Sequence, residues 1–364
     1  MPTLIKRLLA ALVIAVLILA VNQYMSAEGL FGFGISSYYS RVIVLAGVNV
    51  ILAVSLNLIT GFTGQFSIGH AGFMAVGAYT SGYLAVYHAQ LWERALAGAM
   101  GGTFAHILIF LLLILSGGLI AAAAGLLVGI PSLRLRGDYL AIVTLGFAEI
   151  IRIVILNIDK VGGATGFTVP GYTNFVWVGA FAVITVVVVY NIVHSDIGRA
   201  LISIREDELA AEAMGINTTR YKVLAFVISS AFAGMAGVLF GHYNAFLSTN
   251  DFQFIRSFEI IIMIVLGGMG SLTGAVFGGI VITIMPELLR RLPGDLSQYR
   301  LVVYSALLIV IILTRPQGIL GAREFGLSWL KRPQRKPEGT KAVGEKGVPI
   351  ATDVNKTPGA GKGE

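Results

Sequence analysis

Apolar runs close to the roughly 20 residues that a helix needs to cross a bilayer recur along this chain, and they exclude most soluble folds. They fall at about 8–21, 41–60, 71–87, 105–129, 139–157, 173–194, 223–243, 258–269, 272–288 and 301–313. Charged residues make up 12% of the chain and apolar residues 56%, whereas a soluble domain is usually about 25% charged. The fold class is therefore all-α: a polytopic integral membrane protein with about ten transmembrane helices, some broken at Gly-rich segments. A transmembrane domain over 1–330 is expected, followed by a disordered tail over 331–364 that is rich in Pro, Gly, Lys and Thr.

The run at 8–21 follows Lys6 and Arg7 and precedes Met25, Ser26 and Ala27, a pattern close to a signal peptide. An uncleaved first span is the simpler expectation. With the N-terminus in the cytoplasm, Arg134 and Arg136, the polar segment 196–222, and a tail containing Arg315, Arg323, Lys331, Arg332, Arg335 and Lys336 all come out inside, as the positive-inside rule requires. Tyr38, Tyr39, Tyr87, Trp92 and Trp177 then form an outer aromatic belt, with Arg290 and Arg291 as the exception. The net charge of +7 thus reads as topology and carries no signal for nucleic acid. The pieces at 258–288 fit either two broken spans or a re-entrant pair.

Gly125 and Gly129, Gly237 and Gly241, and Gly270, Gly274 and Gly278 have the G-x-x-x-G spacing that lets helix backbones approach closely. Chemistry is sparse. The chain has no cysteine, its five histidines have no metal-ligand spacing, and GAGKG at 359–363 does not match a phosphate loop. The chain is expected to be a non-enzyme that binds no cofactor or metal.

The polar segment 196–222, DIGRALISIREDELAAEAMGINTTRYK, stands between two apolar blocks. Ser203 and Glu206 have capping-box spacing, acids follow at Asp207 and Glu208, and Gly215 is placed to end a short helix over 207–214. On that helix Leu209, Ala210, Ala213 and Met214 form a narrow apolar ridge beside Ala211, with Glu208 and Glu212 on the flank. Such a ridge suits either a groove on a partner or the ends of the chain's own spans.

A second polar stretch, LNLITGFTGQFSIGHAGFMAVGAYTSGYL, places Asn57, Thr60, Thr63, Gln65, Ser67 and His70 around Gly61, Gly64, Gly69 and Gly72, where a continuous helix is poorly supported. Broken backbone at membrane depth must be buried in protein or line a wet cavity. Asn57, Thr60, Gly64, Gln65, Ser67 and His70 are therefore candidates for a translocation path, with a short interfacial turn as the alternative. In LRLRGDYLAIVTLGFAEIIRIVILN, Glu149 and Arg152 share a helix face at i, i+3. Glu149 is a further path candidate, although an internal ion pair explains the spacing equally well.

ALISIREDELAAEAMGINTTRYKVLAF resembles the cytoplasmic loop of ABC-importer permeases of the branched-chain amino-acid family, LivM type. The family signature is Glu-Ala-Ala, three residues, then Gly. Ala210, Ala211 and Gly215 keep that spacing, while Leu209 stands at the Glu position. The 56–84 stretch is similar to LivM and LivH permeases, 133–157 is similar to LivM, and GGMGSLTGAVFG is a fourth matching block, so the likeness covers most of 50–318.

This resemblance implies that residues 208–215 act as a coupling helix on an ATP-hydrolysing partner. It implies two ABC ATPase subunits (LivG/LivF-like) that carry ATP and Mg, a second permease (LivH-like) and a periplasmic substrate-binding protein. The location implied is the bacterial inner membrane, with both termini cytoplasmic. Leucine, isoleucine and valine are the implied substrates, with urea or short amides as alternatives. An ion-gradient-driven secondary transporter is the rival from another class, and Glu149 and Glu259 are its candidate carboxylates.

Overall fold

In a computed structural model of the chain, the residues described are 18, 20–23, 37–89, 92, 102–132, 137–289, 305–306, 309–310, 313–314 and 318–321. Most of the expected spans at 8–21 and 301–313 lies outside them. So do Arg134, Arg136, Arg290, Arg291 and the tail at 331–364.

The described helices are α1 (Ser37–Asn57), α2 (His70–Tyr87), α3 (Gly102–Ser132), α4 (Asp138–Leu156), α5 (Phe175–Val193), α6 (Asp196–Glu206), α7 (Glu208–Ala213), α8 (Thr218–Asn244), α9 (Phe254–Gly267) and α10 (Leu272–Leu289). Six helical stretches among these residues are long and apolar enough to cross a membrane: Tyr38–Phe62, Phe104–Ser132, Tyr139–Leu156, Phe175–Val193, Thr218–Asn244 and Leu272–Leu289. Each falls within or around an expected run. α9, at 14 residues, is about 21 Å long at 1.5 Å per residue and is too short to span the core unaided.

Local chemistry sets the helix ends. Asn174 accepts from the Trp177 N–H at 3.3 Å to start α5, and Asn217 accepts from the Arg220 N–H at 3.0 Å to start α8. α1 does not stop cleanly; it widens into a buried π-helical turn over Leu58–Phe62, and irregular chain follows to His70. At the opposite end of the molecule, β1 (Phe167–Thr168) pairs antiparallel with β2 (Phe246–Leu247), tying the α4–α5 connection to the segment after α8.

α8 is the central helix, packed against α2, α3 and α1. Glycine makes this seam close. A Cβ on Gly117 of α3 would lie 2.9 Å from the Gly77 carbonyl oxygen of α2, and one on Gly234 of α8 would lie 2.8 Å from the Gly117 carbonyl oxygen. Four of the expected packing glycines behave in the same way: Gly125 abuts Ser230, Gly237 the Met74 backbone, Gly274 the Gly267 backbone and Gly278 the Met263 backbone. The outer face of α3 is correspondingly apolar and exposed, with Leu119 70% and Leu127 69% accessible, as lipid contact requires.

α9 and α10 pack against each other as an antiparallel pair. Their tip at Gly268–Ser271 lies beside the end of α1, because Asn57 Nδ2 donates to the Ser271 carbonyl and the Gly270 N–H donates to Asn57 Oδ1, both at 3.0 Å. The tip is therefore at the α6–α7 end of the molecule. The short stretch 318–321 reaches the same place, where the Ile319 N–H donates to the Leu266 carbonyl at 2.8 Å.

Candidate functional site

The polar segment 196–222 folds as two helices with an elbow between them. α6 runs through Ser203 to Glu206, and α7 starts after Asp207. Asp207 is the N-cap, its Oδ1 accepting from the N–H groups of Leu209 at 2.9 Å and Ala210 at 3.0 Å. This corrects the capping-box expectation: Ser203 lies inside α6 with its Oγ donating to the Arg199 carbonyl, and Glu206 pairs with Arg205. Gly215 closes α7 at φ +84°, a left-handed conformation that glycine adopts without strain.

The expected ridge is present and faces outward. Leu209 is 64% exposed and Met214 83%, with Ala210 and Ala213 exposed between them. Ala211 is turned the other way and is 4% exposed, so it anchors the helix to its own chain. Both flanking acids have partners within the chain, although Glu212 is itself exposed. Glu208 pairs with the buried Lys222 Nζ at 2.7 Å, and Glu212 Oε1 accepts from Thr218 Oγ1 at 2.7 Å. The apolar ridge thus remains as the outward surface of a helix whose charges already brace it.

Arg205, immediately before the elbow, connects this helix to the membrane-depth breaks. Its Nη1 donates to the Gly61 carbonyl at 3.0 Å within the π-helical turn. A Cβ on Gly64 would come 2.7 Å from Arg205 Cγ, and one on Gly270 would come 3.0 Å from Nη1. Glycine at these positions leaves the guanidinium space to lie between the two broken segments. Asn57 then links Gly61's segment to the α9–α10 tip. Nothing in the residue pattern marks Arg205 for this role, since it stands among three arginines of the segment and its partner is 144 residues away.

The expected path residues divide in two. Asn57, Ser67 and His70 are fully or almost fully buried, and Asn57 and His70 have structural partners: Asn57 holds the tip, and His70 Nε2 lies 2.9 Å from Ser55 Oγ. Thr60 Oγ1 and Gln65 Oε1 are also buried, yet have no hydrogen-bond partner among the described residues. A buried polar atom without a partner costs about 1–3 kcal/mol, so these two side chains need another donor or acceptor to meet them. Gly64 is exposed at the same break.

Glu149 lies elsewhere. Its Oε2 accepts from Arg152 Nε at 2.7 Å, and its Oε1 accepts from the Phe254 N–H at 3.2 Å, capping the start of α9. The carboxylate therefore ties α4 to α9. Glu149→Gln keeps an acceptor for Phe254 but loses the ion pair, so it should lower thermal stability by about 1 kcal/mol while leaving uptake within a few-fold of wild type. A melt in detergent beside an uptake assay checks both. Among the described residues no group of three or more His, Asp or Glu could hold a metal ion.

A polytopic bundle whose exposed loop helix is pinned to two glycine breaks matches a known family over most of its length. The family described as branched-chain amino acid transport system / permease component matches residues 38–312. The chain belongs to this permease family. It is 34% identical over 340 residues to the high-affinity branched-chain amino acid transport system permease protein LivM of Escherichia coli K12, covering 84% of this chain and 73% of that protein. The LivM protein of Salmonella typhimurium is 33% identical over 334 residues, covering 82% of this chain and 72% of its own. The permease LivH of Escherichia coli K12 is 36% identical over 149 residues, 41% of this chain and 47% of that protein. The matched region contains the loop helix, both glycine breaks and the Arg205 tether, so these belong to the permease body.

Proposed function

We propose that this chain is the LivM-type membrane subunit of an ATP-driven importer for leucine, isoleucine and valine. In this account it pairs with a LivH-like permease, takes substrate from a periplasmic binding protein, and docks α7 on one of two ATPase subunits that bind ATP and Mg. It sits in the bacterial inner membrane with the α6–α7 end and both termini on the cytoplasmic side. The observation that carries the proposal is the exposed ridge of Leu209, Ala210, Ala213 and Met214 on a helix whose two acids are already partnered within the chain.

The mechanism follows from rigid connections. Closure of the ATPase pair displaces α7, and the Asp207 cap makes the elbow move as a unit with it. Arg205 carries that displacement to the Gly61 carbonyl, and Asn57 carries it to the tip at Gly270 and Ser271. Both broken segments then shift together, which is the geometry alternating access requires.

The test is co-purification after gentle solubilisation. Leu209→Asp places an unpaired charge in the proposed interface, an effect worth about 3–5 kcal/mol when such a charge is buried. The ATPase should therefore be retained by wild type and lost by a Leu209→Asp variant that still elutes as a folded permease. An ATPase held equally by both would place docking elsewhere. Ala211→Asp is unsuitable here, because Ala211 faces its own chain and the substitution would disrupt the loop itself.

A further inference from the structure

A second polar cluster lies at the other end of α9, away from the Arg205 tether. α1, α9 and α10 line a cavity of about 590 Å³ that reaches the turn at Asn250 and Asp251, at the end of α9 away from its tip. Leu45, Phe240, Met263 and Ile282 supply its apolar lining. Its polar lining is centred on Arg256, whose Nη1 donates to Glu259 Oε2 at 2.7 Å and whose Nη2 donates to Asn49 Oδ1 at 2.6 Å. Asn49 in turn donates to Thr283 Oγ1 at 2.7 Å, so all three helices meet at this network.

The network is not saturated. A guanidinium has five N–H donors, and these two bonds use two of them. Glu287, which also lines the cavity, has a buried Oε2 with no hydrogen-bond partner among the described residues. Glu259 and Asp251 add two further carboxylates to the lining. Three acids and one arginine beside an apolar lining favour a ligand with an ammonium group, a carboxylate and a compact apolar side chain.

Resting on the import function proposed above, we infer that this cavity is a binding site for a zwitterionic aliphatic α-amino acid. Arg256 takes the carboxylate, Glu259 and Glu287 take the ammonium, and Leu45, Met263 and Ile282 receive the side chain. α9 gives the site its connection to ATP. Arg256 is eleven residues from Gly267, about 17 Å along the helix, so displacement of the inner tip of α9 also moves the residues that hold the ligand.

The test uses the assembled transporter and photo-leucine, the diazirine analogue of leucine. After irradiation, peptide mass spectrometry should place the label within α9 or α10 beside the cavity, and excess leucine should abolish it. 4-Methylpentanoate, which lacks the ammonium, and isoamylamine, which lacks the carboxylate, should each compete at least tenfold less well. Leu45→Trp fills the apolar lining without touching the ion pair and should reduce labelling at least tenfold; Arg256→Gln should do the same. Labelling confined to other segments, or Leu45→Trp labelling as wild type, overturns the site. Uptake and labelling fail separately: ATP-driven leucine uptake without cavity labelling removes the site alone, and cavity labelling without ATP-driven uptake removes the import function alone.

Discussion

Replacing Arg205 with alanine should leave the permease folded and bound to its ATPase while lowering substrate uptake by roughly 10- to 100-fold. The bond from Nη1 to the Gly61 carbonyl is charge-assisted and worth about 1.5–3 kcal/mol, and each 1.4 kcal/mol is about a factor of ten. The side chain is about one-third exposed, at 36%, so the upper part of that range needs the bond to be screened from water. Because Arg205 precedes the Asp207 cap and does not form part of the ridge, docking should survive its loss. The expected signature is uncoupling: ATP hydrolysis persists and uptake falls. Arg205→Lys retains charge but lacks the planar fork that fits between the two glycine segments, and should recover only part of the uptake. Parallel loss of hydrolysis, uptake and assembly would instead mark Arg205 as a purely structural residue.

The largest effect on stability is expected at Gly77. A Cβ there would lie 2.5 Å from the Gly234 carbonyl carbon, and closer still to the Gly234 oxygen and Cα. All three are backbone atoms, so no side-chain rotation relieves the overlap. α2 and α8 would have to separate along the seam that also holds Gly117 of α3. Overpacking of a tight core costs about 1–3 kcal/mol, and rigid backbone on both sides places Gly77→Ala at the top of that range. Gly77→Leu should give no folded permease in the membrane fraction. At Gly146, where an added Cβ meets nothing within 4 Å, alanine should be tolerated. Thermal melts of the two alanine variants in one detergent, beside the membrane-fraction yield of Gly77→Leu, check the comparison.

What the sequence revealed depended on whether its signal was local. Six of the ten expected spans coincide with long apolar helices, because hydrophobic run length is a property of consecutive residues. Gly215 was legible for the same reason, since ending a short helix requires a left-handed residue at that place. The helix start was displaced because Ser203 and Glu206 satisfy the capping-box spacing while belonging to a helix that continues to Asp207.

The site itself was only partly legible. The polar glycine-rich stretch after α1 did mark a break, but pattern alone could not separate Asn57, which ties two segments together, from Thr60 and Gln65, which have buried unpartnered oxygens. Nor could it show that Ala211 faces inward while its neighbours Ala210 and Ala213 face out. Arg205 with Gly61, Gly77 with Gly234, and Arg256 with Asn49 are contacts between residues more than 140 positions apart. Only the packed bundle brings these pairs together.

Uptake of radiolabelled leucine into proteoliposomes tests the central claim most directly. The liposomes would contain the complex purified with this chain, oriented by its binding protein added outside, with ATP and Mg sealed inside. The account predicts leucine accumulation that requires both internal ATP and the external binding protein and that competes with isoleucine and valine. Accumulation driven by an imposed proton or sodium gradient with no ATP present would contradict it.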